Sequence, residues 1–76
     1  MTPRLIGTRE DVAGFALAGV DGTICETEKD VQRAWSALRD DEIAILSPAA
    51  ALMVAERLAE AEERGTGPLF VVLPSR

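Results

Sequence analysis

The side chains able to do chemistry are few, and most stand where helix starts and solvated faces would put them. The chain has no histidine, so the commonest general base and metal ligand is missing. Its one cysteine, Cys25, therefore has no imidazole to activate it as a nucleophile. Glu10 and Asp11 follow a short apolar run and a Gly7-Thr8 turn, a position where carboxylates are favoured by the positive end of a helix dipole. Glu56, Glu60 and Glu63 recur at i, i+4 and i+7. That set offers a metal only carboxylates; such runs are ordinarily a solvated face, and the alternative is a surface for a basic partner. Gly7-Thr8-Arg9-Glu10-Asp11-Val12 lacks the Gly-x-Gly-x-x-Gly fingerprint, and no Gly-Lys-Ser/Thr occurs, so the usual phosphate-binding loops are absent. Gly14 and Gly19 fall within and at the end of a helix, where they serve packing. No catalytic residue, cofactor or metal is expected.

Composition narrows the classes further. Seventy-six residues make at most one domain, taken here as residues 1–76, and a chain of this size buries only about 60–65% of its unfolded surface. Phe15, Trp35 and Phe70 are the only aromatics, so the core must be aliphatic and alanine-rich. Thirteen acids against eight bases give a net charge of −5, which argues against nucleic acid, whose phosphates need a basic patch. A single cysteine excludes an internal disulfide and suits a reducing cytosol. No apolar run approaches the roughly 20 residues needed to cross a bilayer. The start lacks the basic and apolar regions of a signal peptide. Any membrane association must then pass through a partner.

The elements that would position these residues alternate. Arg4-Leu5-Ile6 reads as a first strand. A small-residue helix over about Arg9 to Ala18 follows, with Thr8 and Asp11 able to cap it. Val12, Phe15 and Gly19 form its inward stripe, and Gly19 supplies a left-handed end. Gly14, with Ala13, Ala16 and Ala18, is expected to let this helix lie very close to the sheet, so that a leucine at Gly14 would overpack. Val20 to Cys25 is a second strand, broken by Asp21-Gly22. Thr27 caps a second helix in which Val31, Ala34, Trp35 and Leu38 give the inner stripe, Gln32, Arg33, Ser36 and Arg39 the outer face, and Asp40-Asp41 the end. Ile43-Ala44-Ile45-Leu46 is an apolar run suited to a strand covered on both faces. Ser47-Pro48, a capping hydroxyl followed by proline at the first helical position, starts a third helix running to Arg64. Its inner face is Leu52, Ala55, Leu58 and Ala59, with Met53 and Val54 beside it. Gly65-Thr66-Gly67 stops it, and Leu69 to Leu73 is the last strand.

This β-α-β-α-β-α-β order predicts an α/β fold of three layers: a four-stranded parallel sheet in order 2-1-3-4 with helices on both faces, flavodoxin-like or receiver-like. A ligand would sit at the carboxyl ends of the strands, at the switch between the first and third, among Gly7, Thr8, Arg9, Glu10, Asp11, Ser47, Pro48 and Ser75. A phosphoacceptor receiver needs an aspartate at the end of the third strand, where this chain has Ser47, and a lysine after a fifth strand.

The run Arg9-Glu10-Asp11-Val12-Ala13-Gly14-Phe15-Ala16-Leu17-Ala18-Gly19-Val20, straight after a short apolar strand, resembles the opening of the F subunit of the V-type (vacuolar and archaeal-type) rotary ATPases. Gly14, Phe15, Leu17, Ala18 and Gly19 supply that family's Gly-Phe-x-Leu-Ala-Gly helix. Asp41-Glu42-Ile43-Ala44-Ile45-Leu46 and Pro68-Leu69-Phe70-Val71-Val72-Leu73-Pro74-Ser75 agree in order and spacing. The resemblance implies a non-catalytic central-stalk subunit, cytoplasmic and peripheral to the membrane through its complex. It would dock on the coiled-coil shaft subunit, turn with it, and help couple ATP hydrolysis or synthesis to proton or sodium transport. Neither nucleotide nor lipid would be bound. The family's acidic turn is altered here to Thr8-Arg9 before Glu10-Asp11, and its usual C-terminal helical segment does not follow Arg76, which predicts a weaker grip on the shaft. The second helix, around Gln32, Arg33 and Ser36, and the carboxyl ends of the strands are the expected partner surface. Trp35 lies on the inner stripe and reads as core, although tryptophan is also enriched among binding anchors. The alternative function is a receiver-like or small-ligand-binding regulatory domain.

Overall fold

In the computed structural model, which describes residues 1–65 and 67–74, four parallel strands line up as β2-β1-β3-β4. The strands are β1 (Thr2–Gly7), β2 (Asp21–Ile24), β3 (Glu42–Leu46) and β4 (Leu69–Val72). Between them run α1 (Arg9–Ala16), α2 (Glu28–Ser36), α3 (Pro48–Met53) and α4 (Ala55–Arg64). The expected sheet order and strand directions are those found. β2 is continuous through Asp21-Gly22, where a break was expected.

Strand alternation divides the sheet into two faces. Ile6, Ala44 and Leu46 join Cys25, Val31, Trp35, Ala50, Val54 and Leu58 in the main core, so α2, α3 and α4 share one face. Trp35 is buried there, its ring edge-on to Phe70 with centroids 5.8 Å apart and planes at 69°. Leu5 points the other way, beneath α1. Along this second face the register pairs Leu5 with Ile45, and Ile45 with Val71. Exposure climbs across that row, from 0% at Leu5 to 49% at Val71, because α1 packs chiefly on β1 and β2. The apolar run of β4 thus has one partly covered face, on which Phe70 packs against the core.

Helix starts follow the sequence. Thr8 and Asp11 form a reciprocal capping box on α1, and Thr27 with Asp30 does the same on α2. The buried Ser47 hydroxyl accepts from the Ala50 N–H at 3.1 Å, with Pro48 in the first turn. Gly19, at φ +81°, ends the first helical stretch. The Val20 N–H reaches back to the Phe15 carbonyl (3.1 Å) and the Gly19 N–H to that of Ala16 (3.0 Å), the paired bonds of a Schellman motif.

Three packing expectations are corrected. The small-residue helix does not use Gly14 for close approach: Gly14 is exposed, and a Cβ there would meet nothing within 4 Å. The close approach occurs at Gly22, where a Cβ would lie 3.2 Å from Leu5 Cβ, Leu5 O and Val12 Cγ1. The glycine that admits α1 is therefore on the strand beneath the helix. Second, the long helix from Pro48 breaks at Val54, which leaves helical geometry at φ −121°, ψ 24°. That kink buries the β-branched Val54 side chain to 2% exposure and turns Leu52 out to 79%. Ala55 and Ala59 are exposed with it, while Ala51 and Ala61 pack against the core. Third, α2 stops at Ser36, short of Leu38, and a turn follows in which the Arg39 N–H donates to Glu42 Oε1 at 2.8 Å.

Candidate functional site

The switch between β1 and β3 is a hollow of about 290 Å³ whose lining includes Gly7, Thr8, Arg9, Cys25, Glu26 and Ser47. The structure therefore gathers several of the residues expected there. The polar groups of Thr8, Asp11 and Ser47 are already committed. Asp11 Oδ2 accepts from the Thr8 N–H at 3.3 Å and the Thr8 hydroxyl at 3.0 Å, and Thr8 Oγ1 accepts from the Asp11 N–H at 3.3 Å. The Asp11 carboxylate is folded against Gly7, where a Cβ would come within 3.0 Å of it. Ser47 Oγ is used by Ala50. Arg9 and Glu26 pair at 3.8 Å with both side chains about three-quarters exposed, an arrangement that contributes little in water. Glu10 is exposed on α1, Pro48 is half-buried at the start of α3, and Ser75 lies outside the described residues.

Cys25 is buried and lines this hollow. Burial, and secondarily the negative charge of Asp30, push its thiol above the ordinary range. A thiol held protonated is a poor nucleophile. Asp30 moves the opposite way. Its carboxyl is held below the usual range, chiefly by the Glu26 N–H, against some desolvation, and then by the Thr27 N–H and hydroxyl and the charge of Arg33. The Glu26 and Thr27 N–H groups lie 3.1 and 3.3 Å from Asp30 Oδ2. This shift belongs to a capping box. Among the described residues no group of three His, Cys, Asp or Glu side chains is placed to hold a metal ion.

The remaining singled-out residues are dispersed. Phe15, on α1, is half-buried, while Gly14, Ala18 and Gly19 are exposed and Leu17 is 93% exposed. On α2, Gln32, Arg33 and Ser36 do share one surface: they line an open hollow with Lys29 and Arg57. Gln32 is half-buried and its Nε2 donates to Glu28 Oε1 at 3.3 Å. Sequence reading missed Lys29 and Arg57 as neighbours of this surface. Lys29 was within reach, four residues before Arg33; Arg57 comes from α4 and carried no local signal.

The fold and this switch point define a small parallel α/β protein whose polar side chains at the strand ends serve as helix caps. Residues 4–76 match the family model described as ATP synthase (F/14-kDa) subunit. The chain belongs to that family, the F subunits of the V-type ATPases. A search of curated proteins gave no match. Among the described residues no helix is long and apolar enough to cross a membrane.

Proposed function

We propose that this chain is a non-catalytic rotor subunit, docked on the coiled-coil shaft subunit of a V-type rotary ATPase. In that place it turns with the shaft and helps couple ATP hydrolysis or synthesis to proton or sodium transport, peripheral to the membrane on its cytoplasmic side. The family match over residues 4–76 carries the reading. The switch point supports it: Thr8, Asp11 and Ser47, the groups nearest a would-be phosphoryl or nucleotide site, are tied into caps. Ser47 also stands where a receiver would carry its phosphoacceptor aspartate.

Co-expression with the cognate shaft subunit, followed by size-exclusion chromatography and calorimetry, tests the reading. A co-eluting pair with a measurable heat of binding is expected. Separate elution and no heat at tens of micromolar would refute it. The purified chain is also expected to take no phosphoryl group from acetyl phosphate and to hydrolyse no ATP with magnesium. A stoichiometric acyl phosphate on Asp11 or Glu10 would overturn the non-enzymatic part.

A further inference from the structure

Most of the bases of this chain gather beside α2. Two adjoining hollows flank α2 and share Arg33 and Ala37. Arg4, Arg33 and Arg39 line the first, a groove of about 620 Å³. Lys29, Arg33 and Arg57 line the second, of about 490 Å³. Five of the chain's eight bases therefore face these two hollows, against two acids, Asp30 and Glu42; Glu28, Glu56 and Glu60 border them in a third hollow that shares Gln32 and Arg57. The rest of the chain holds three bases and eleven acids.

Both acids in the groove are engaged with backbone. Asp30 accepts from the Glu26 and Thr27 N–H groups, and Glu42 from that of Arg39. Among the described residues the one ion pair within 4 Å is Arg9–Glu26, so none of the five bases is matched by a carboxylate at that range. Arg4 is also half-buried, which removes part of its hydration. Arginine forks match carboxylates bidentately, and a basic surface draws an acidic partner into register over distance.

We propose that the α2 surface is the docking face of this protein and that its occupant is an acidic segment of the shaft subunit, with carboxylates seated along Arg4, Arg33, Arg39, Lys29 and Arg57. The naming of the shaft subunit rests on the preceding function; the acidic chemistry of the occupant rests on the surface alone. A long polyanion such as nucleic acid fits less well, because the eleven acids elsewhere would repel whatever extends beyond the groove.

The test compares the wild-type chain with Arg33→Glu, with the double neutralisation Lys29→Gln/Arg57→Gln, and with Arg64→Glu, an exposed base outside both hollows. Circular dichroism and urea midpoints confirm that each is folded. Binding to the shaft subunit and, separately, to poly-L-glutamate is measured at low and physiological salt. Reversing a charge at such a face is expected to weaken binding about tenfold or more for Arg33→Glu. The double neutralisation weakens it less, and Arg64→Glu leaves it within about twofold. The differences shrink with salt as the Debye length falls from about 30 Å at 0.01 M to about 8 Å at 0.15 M. If the wild-type chain binds the shaft subunit but Arg33→Glu behaves like Arg64→Glu, this inference is overturned and the rotor function stands. If polyglutamate shows the expected ranking while the shaft subunit does not bind, the rotor function fails and the acidic-partner surface stands. Absence of polyglutamate binding overturns the surface, as does tighter binding of a thymidine oligonucleotide or of phosphatidylserine vesicles.

Discussion

Replacing Gly22 with alanine places a methyl group 3.2 Å from three atoms at once: Leu5 Cβ, Leu5 O and Val12 Cγ1. Two of these belong to β1, which is hydrogen-bonded on both sides, to β2 and to β3, so they have little room to retreat. Leu5 is fully buried. Overpacking of this kind costs about 1–3 kcal/mol. Against it, alanine restricts the unfolded chain and returns about 0.4–1 kcal/mol. The net expectation is a loss of about 1 kcal/mol or somewhat more. Gly14→Ala provides the opposite case in the same region. Its Cβ meets nothing within 4 Å, and alanine is favoured over glycine in a helix interior by about 1 kcal/mol. Urea unfolding followed by circular dichroism measures both. With a slope of about 1 kcal/mol/M for a small domain, the two midpoints should separate by about 2 M, on either side of wild type. A Gly22→Ala midpoint at or above wild type would refute the argument that α1 rests on the sheet through this glycine. A Gly14→Ala midpoint well below wild type would restore the small-residue contact expected from sequence.

Val54→Ala should lower stability by about 1.5 kcal/mol or more, since it removes two buried methyl-sized groups, whereas Leu52→Ala should stay within about 0.5 kcal/mol as an exposed substitution; equal urea midpoints would refute the kink at Val54. Asp30 has a depressed folded-state pKa, so its contribution is present above the unfolded carboxylate pKa of about 4 and is lost as pH falls through the folded value. Asp30→Asn should accordingly narrow the gap between urea midpoints at pH 6 and pH 2.5; an unchanged gap would remove Asp30 from the acid response. Cys25, buried and with its thiol pKa raised, should react slowly with iodoacetamide in the native chain and rapidly in urea; fast labelling under native conditions would show the strand end to be open.

The features legible in the sequence were those fixed within a few residues. Thr8 with Asp11, Thr27, and Ser47 followed by Pro48 each mark a helix start within a few residues, and each is found in place; that Asp30 completes a capping box with Thr27 came from the structure. The apolar runs at Ile43–Leu46 and Leu69–Leu73 marked their strands, the second one residue too long, and the alternation of elements with right-handed crossovers led to the sheet order. What was misread depends on contacts between distant segments. Gly14 and Gly22 look alike as letters, and only the placing of α1 over β1 and β2 decides which has a neighbour. Leu52 and Val54 differ by two positions on a smooth helical pattern, and the kink that exchanges them is set by the core beneath. The grouping of Arg4, Arg33, Arg39 and Arg57 draws on a strand, two helices and a turn. Arg33 could be named from the outer face of α2, but its company could not.

The uneven cover of the sheet's second face bears on how the chain behaves as a colloid. Beyond α1, the strip carrying Leu69 and Val71 is about half exposed, and at neutral pH the excess of thirteen acids over eight bases keeps such strips on separate molecules apart. Acid should remove that repulsion near the sequence isoelectric point of about 4.5, above the range in which Asp30, with its lowered pKa, gives up its charge. Solubility should therefore fall first, and at a milder pH than the loss of structure. Salt should bring on the same association at neutral pH by screening the charge, and a partner lying over the strip would suppress it in both cases.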